Sequence, residues 1–300
     1  MSTDLRPPSS AAQPGRPEPA GDGSRTPRWR DRRTRTMTAV AIALALVVAV
    51  AVAGTLAAGP AATTDLAARH QAPSWGHPFG TDAYGRDLLL RTLVGLRLSL
   101  LVGLTAAAMS GLIALVLALV ATVGGRAAAA VVGWLVDLFL ALPHLVLLLL
   151  LAFALGGGTQ AVILAVGLTH WPRLTRVLLA TSHEVAGSDY VATSRALGHG
   201  RLHVARRHLA PHLVPHLSVG AVLMFPHAIL HEAALSFLGL GIDPGQPAVG
   251  VLLQDAMRTL SAGHWWLAVL PGLGLLLVVK LVDRIGEDLR LLLAPRSAHL

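Results

Sequence analysis

The residues best suited to chemistry in this sequence are histidines that lie within apolar stretches. His227 and His231 are four positions apart, so a helix places both on one face, and Met224 lies nearly one turn earlier. His170 ends another apolar stretch, directly before Trp171. Imidazole binds nickel, copper and zinc, and neutral histidine costs less to bury in a membrane than a carboxylate. These residues predict a metal or substrate path, with ordinary hydrogen bonding inside a helix bundle as the alternative.

Other kinds of chemistry are excluded by composition. The chain has no cysteine, which rules out a disulfide framework, a thiolate metal site and a cysteine nucleophile. Lys280 is the one lysine, and Val278 and Val279 precede it, so no Gly-Lys-Ser/Thr phosphate loop exists. Ala228 stands where an H-E-x-x-H zinc protease would have glutamate. We therefore predict a protein that is not an enzyme, with no catalytic residue and no cofactor bound by this chain.

Hydrophobicity predicts a membrane protein. Of the 300 residues, 54% are hydrophobic and only 13% are charged, whereas soluble domains have about 25% charged residues. The stretch 38–64 carries no charge and is long enough to cross a bilayer, which takes roughly 20 apolar residues. Five further spans are predicted at 98–125, from 131 to the glycines at 156–158, and at 161–179, 213–235 and 264–282. The predicted fold class is an all-α membrane protein with six transmembrane helices.

Charge predicts how these helices are oriented. Residues 1–36 are rich in proline and arginine and predict a disordered, basic cytoplasmic tail, followed by an N-terminal anchor at 37–59. A cleaved signal peptide is the alternative, but the apolar core is longer than the roughly 7–15 residues typical of one. Six crossings place residues 60–97 outside the cell, although that segment is also basic, and return 286–300 to the cytoplasm as a tail. Both termini are then cytoplasmic.

The segment 184–215, between the fourth and fifth predicted spans, has the composition of a docking element. It predicts two short helices, at 189–198 and 199–211, around a turn at Gly198. Its arginines agree with a cytoplasmic location. A basic helical hairpin suits a groove on another protein, but an ordinary solvated loop explains the same residues equally well.

Five blocks of sequence resemble one family. Gly198 is followed thirteen residues later by Pro211, as in the cytoplasmic coupling loop of ABC importer permeases. RHLAPHLVP at 207–215 is similar to the form used by the dipeptide, oligopeptide and nickel branch. The other similar blocks, in the expected order, are FGTDAYGRD at 79–87, DLFLALP at 137–143, LSFLGLG at 235–241 and DLRLLLAP at 288–295.

The resemblance implies a fold and a set of partners. We expect the type I ABC importer permease fold, with the permease domain at 98–285, and a second homologous permease subunit beside it in the lipid membrane. Two separate ATPase subunits would use ATP and dock on the coupling loops, and an extracytoplasmic binding protein would deliver cargo. No nucleic acid is expected as a partner. An ion-coupled secondary transporter is the remote alternative, because Asp137 and Glu232 are the only acids within the predicted spans.

The resemblance also implies which residues couple this chain to the ATPase. The matching positions are Tyr190, Ser194, Arg195, Ala196, Leu197, Gly198, His208 and Pro211. One departure concerns the family's Glu-Ala-Ala, which is replaced by Ala192-Thr193-Ser194. Since the usual acidic contact is missing, we expect docking to rely on Tyr190, Arg195 and the Gly198 turn.

The sequence gives two candidate cargoes. The nickel-type permeases of this branch are similar at Thr169-His170-Trp171 and at PHAILH, residues 226–231. Glu232 and the ATSRALG stretch at 192–198 fit peptide-type members as well. The sequence therefore favours nickel, free or chelated, with small peptides as the alternative.

Overall fold

The computed structural model describes residues 28–293, and within that range it contains helices and turns but no strand. Residues 1–27 of the predicted tail and 294–300 at the C-terminus lie outside the described residues. The helices are α1 Arg28–Leu56, α2 Leu88–Val123, α3 Arg126–Ala141, α4 His144–Ala154, α5 Gly158–Thr169, α6 Trp171–Ala186, α7 Asp189–Ala196, α8 Arg201–Val204, α9 Ala210–Phe237, α10 Val249–Met257 and α11 Trp266–Leu293. The predicted all-α fold is confirmed.

Helix α2 is the centre of the bundle, where it packs against α1, α5, α6 and α9. Its buried face has a small residue at every fourth position from 95 to 111, namely Gly95, Ser99, Gly103, Ala107 and Gly111. This spacing lets helix backbones approach closely in a membrane. At Gly103 the approach is so close that a Cβ would lie 2.5 Å from the ring of Phe225 in α9.

The number of spans differs from the prediction. Among the described residues, four helical stretches are long and apolar enough to cross a membrane, at 34–56, 88–123, 201–237 and 266–292. The predicted third span consists of α3 and α4, which bend by 96° and count as a fifth span if the pair crosses once. The predicted fourth span is divided into α5, with 12 residues, and α6, with 16.

Proline accounts for both breaks. Pro143 stands between α3 and α4, and Pro172 lies in the first turn of α6. Proline has no backbone N–H and its ring clashes with the preceding turn, so a helix tends to stop before it. Pro215 and Pro226, by contrast, are accommodated inside α9.

Several boundaries also differ. Helix α1 begins at Arg28, so residues 28–36 of the predicted tail are helical. Helix α2 begins ten residues before its predicted start, because the side chain of Asp87 caps it by accepting from the N–H of Leu90 at 2.9 Å. Residues 286–293, predicted as part of a tail, continue α11. Helix α10, which packs against α9 and α11, lies where the sequence predicted only a loop.

Candidate functional site

The segment 184–215 forms the predicted hairpin. Helix α7 ends at Ala196, and the chain reverses through Gly198, whose φ of +86° lies in the region that favours glycine. The turn is closed by the N–H of Leu197, which donates to Thr193 at 3.0 Å, and by that of Gly198, which donates to Arg195 at 3.0 Å. The second helix does not end at Pro211, because α8 passes through a π-helical turn, Ala205–Leu209, directly into α9.

Buried side chains hold the hairpin against the transmembrane helices. Val191, Val204 and Leu209 are fully buried and form one cluster. Leu119 and Val123 from the last turns of α2 pack against this cluster. The hairpin is therefore joined to α2 by packing and to α9 by the continuous polypeptide.

Ser194 links the two halves of the hairpin. Its hydroxyl is buried in α7 and lies 3.0 Å from Nε2 of His208 in the π turn. The backbone N–H of His199 donates to the carbonyl of Ser194 at 3.2 Å. Ser194 is the last residue of Ala192-Thr193-Ser194, the triplet that replaces the Glu-Ala-Ala of the family. This replacement therefore introduces a hydrogen bond inside the hairpin.

The outer surface of the hairpin is basic and apolar. Leu197 and Leu202 are 73% and 70% exposed, and Ala196 and Pro211 are exposed too. The ring of Tyr190 lies 5.6 Å from that of His208 and is 42% exposed. The hairpin also has four exposed arginines that make no ion pair within the described part of the chain, namely Arg195, Arg201, Arg206 and Arg207.

The histidines predicted to line a path do share one cavity. A space of about 450 Å³ has His170, Met224, His227 and His231 in its wall. Arg173 lines the same cavity, whose wall is otherwise largely apolar. These four residues come from α9 and the α5–α6 break, and their role as a metal or substrate path stays a prediction.

A fourth histidine of this cavity, His144, was missed by the sequence analysis. Its ring centre lies 4.6 Å from that of His170 and 5.0 Å from that of His231, and the last two are 5.0 Å apart. His227 lies outside this group of three. The available signal was a histidine directly after Pro143, inside an otherwise apolar run.

The carboxylate of Glu232 takes part in hydrogen bonds that join neighbouring helices. It accepts from the hydroxyl of Ser99 in α2 at 2.5 Å and from that of Ser236 at 3.0 Å. The hydroxyl of Ser236 in turn accepts from the N–H of Ile242 at 3.1 Å. These bonds join α2, α9 and the loop that follows α9, so Glu232 fixes helix packing and does not face the histidine cavity.

The FGTDAYGRD block lies at the other end of α2, about 50 Å from the hairpin at 1.5 Å per residue. Asp82 is its centre: it accepts from Nε of Arg86 at 2.7 Å and also pairs with the buried guanidinium of Arg91. Burial alone would raise the pKa of Asp82, but the backbone N–H of Arg86, the charge of Arg91 and the N–H of Tyr84 together hold it below its usual value.

Two histidines stack beside this block. The rings of His70 and His264 are 4.3 Å apart and nearly parallel, at 4°. Their Nδ1 atoms are buried and find no hydrogen-bond partner in the part of the chain that the structure describes. Burial and the neighbouring His264 lower the pKa of His70, so the neutral form of His70 is favoured.

Comparison with known proteins gives a consistent result. The family described as binding-protein-dependent transport system inner membrane component matches residues 86–288. A protein of Brucella suis biovar 1, provisionally named a peptide permease, is 38% identical over 234 residues, which are 78% of each chain. The di/tripeptide transport system permease protein DppC of Pseudomonas aeruginosa is 38% identical over 217 residues, which are 72% of this chain and 71% of that protein.

Proposed function

Because this chain belongs to the family of binding-protein-dependent transport system inner membrane components, the permeases of ABC importers, we propose that it forms half of a translocation path. A second homologous permease supplies the other half. An extracytoplasmic binding protein delivers the cargo, and two ATPase subunits drive the cycle. The assembly lies in the cell membrane, with both termini of this chain and the α7–α8 hairpin in the cytoplasm.

The coupling role is proposed from the structure of the hairpin. It combines an exposed basic and apolar surface with a buried attachment to α2. A short helix of this kind suits a groove on a partner subunit. Movement of the ATPase would displace the hairpin as one body, since Val191, Val204 and Leu209 are buried together. That displacement would reach the spans on which the path depends.

The energy source follows from what the chain lacks in sequence. With Lys280 as its single lysine, this chain has no Gly-Lys-Ser/Thr phosphate loop with which to bind ATP. ATP binding and hydrolysis are therefore assigned to the partner subunits. No cofactor is assigned to this chain.

Small peptides are the first candidate cargo, since the relatives described above are named for peptide transport. Nickel, free or chelated, is the second candidate. It is favoured by the histidines that line one cavity, since imidazole is a common nickel ligand.

Uptake in whole cells separates these cargoes. Deleting the gene should abolish uptake of a labelled dipeptide, and supplying the native chain should restore it. Dipeptide uptake that is unchanged by the deletion would overturn the peptide assignment. If radioactive nickel uptake is lost and excess dipeptide does not compete with it, nickel becomes the cargo.

A further inference from the structure

Three histidines from distant parts of the chain converge on one point. His144 is the first residue of α4 after the bend at Pro143, His170 lies in the break between α5 and α6, and His231 is on α9. One ring nitrogen from each lies within 4.8 Å of the other two. The rings are nearly perpendicular to one another, at 78°, 89° and 83°, so they meet edge to face and do not stack.

Backbone hydrogen bonds fix the tautomer of two of these rings. Nδ1 of His170 lies 2.9 Å from the carbonyl of Val166, and Nδ1 of His231 lies 2.7 Å from that of His227. A carbonyl can only accept, so each Nδ1 carries the proton and each Nε2 keeps a free lone pair. A histidine that ligates a metal typically donates its other nitrogen in this way.

The lone pair on Nε2 of His170 is available to a ligand. This Nε2 is buried and has no hydrogen-bond partner among residues 28–293. Leaving a buried polar atom unsatisfied costs about 1–3 kcal/mol, which a bound ligand would offset. Simple packing of three neutral rings explains their contact but not this orphaned atom.

We propose that His144, His170 and His231 together bind one divalent first-row transition metal ion. Metal–nitrogen distances of about 2.0–2.1 Å with tetrahedral angles place the three nitrogens about 3.3 Å apart. From separations within 4.8 Å, small side-chain rotations close the site. Imidazole nitrogens select zinc, nickel, cobalt or copper over calcium and magnesium, which take oxygen ligands.

All three histidines line the cavity of about 450 Å³, as Arg173 does, so this space can supply a water or cargo group as the fourth ligand. The positive charge of Arg173 opposes a bare dication, so it weakens binding without contributing a ligand. The proposal therefore makes a further prediction: Arg173→Gln should tighten metal binding, because the substitution removes this repulsion. Binding does not depend on the proposed function, whereas any transport of the ion would rest on it.

The test uses the intact importer, purified with its partner subunits and treated with chelator. A His203→Ala background reduces adventitious binding at the hairpin, where the rings of His199 and His203 stack 4.1 Å apart. Equilibrium dialysis with Co²⁺ should find one ion per chain. We expect His144→Phe to weaken its affinity at least about tenfold. His227→Phe is the matched control, because His227 lines the same cavity outside the triad, and it should keep the native affinity.

Equal loss in His144→Phe and His227→Phe, or no loss in either, would overturn the metal site. If His144→Phe does not assemble, X-ray absorption of bound Co²⁺ in the background protein decides. Three imidazole ligands support the proposal, and fewer than three contradict it. Dialysis is done without ATP, so its failure is distinct from a failure of ATP-driven dipeptide uptake, which tests the proposed function.

Discussion

The hydroxyl of Ser194 lies 3.0 Å from Nε2 of His208, and this contact fastens α7 to the π turn that leads into α9. Ser194 belongs to Ala192-Thr193-Ser194, which replaces the Glu-Ala-Ala of the family. The altered residue therefore faces inward and stiffens the hairpin. The surface that we propose docks on the ATPase is that of Tyr190, Leu197 and the arginines.

The Ser194–His208 contact can be measured by a double-mutant cycle. Ser194→Ala and His208→Phe should show a coupling free energy of about 1 kcal/mol in thermal stability, the usual net value of one hydrogen bond. The control pairs Thr193→Val with His208→Phe, because the hydroxyl of Thr193 bonds within its own helix, to Asp189. A control cycle with the same coupling as the test cycle would show that the contact contributes nothing specific.

Replacing Gly198 should uncouple transport. A β-branched residue is disfavoured at a φ of +86°, by at least about 1–2 kcal/mol, although a Cβ there would meet nothing within 4 Å. Gly198→Val should therefore reshape the turn, and ATP-driven uptake should fall while membrane insertion stays normal.

Gly200 is the matched control for that change. Its φ of −73° and ψ of 169° suit valine, and a Cβ there also meets nothing within 4 Å. Gly200→Val should transport normally. Full uptake by Gly198→Val would remove the turn from the coupling mechanism.

The buried Asp82–Arg91 pair should matter far more than an exposed one. Side-chain exposure is 9% for Asp82 and 4% for Arg91, so Asp82→Asn leaves a buried guanidinium short of its charge partner and should cost about 3 kcal/mol. Glu287→Gln is the control: Glu287 and its partner Arg290, near the end of α11, are 49% and 62% exposed, and the loss should be below about 1 kcal/mol. Equal melting temperatures for the two variants would contradict this account.

Acid pH should destabilise the segment that contains His70. Its pKa is lowered in the folded state, so below the unfolded value of about 6.5 the unfolded chain binds more protons. Stability is then fully present above that pH and declines as the pH falls toward the folded pKa. The melting temperature should drop between pH 7.5 and 5.5, and His70→Gln should reduce the drop. An unchanged drop in that variant would assign the effect to other groups.

Local patterns predicted the parts of the structure that depend on local sequence. Long apolar runs identified α1, α2, α9 and α11, because length and hydrophobicity alone define a span. The hairpin was predicted because helical spacing and a glycine in a left-handed turn are both local features. Helix α10 was missed, since its nine residues form a short apolar run within a polar loop and its burial depends on α9 and α11.

The histidine triad shows where prediction from spacing fails. His227 and His231 share a helix face by their spacing, so the sequence grouped them. The rings next to His231 are instead those of His170, which the sequence also grouped with it, and of His144, which it did not. The contact with His144 was therefore not predicted. This contact depends on the 96° bend between α3 and α4 and on the break at His170. Proline marks such breaks, but the direction of a bend is set by tertiary packing.

The most direct test of the transport account is uptake into lipid vesicles. This chain, its partner permease, the ATPases and the binding protein are reconstituted together, and entry of a labelled dipeptide is followed with and without ATP. We expect uptake only with ATP and with every subunit present, and none from this chain alone under a proton or sodium gradient. Gradient-driven uptake by this chain alone, without ATP, would contradict the account and identify a secondary transporter.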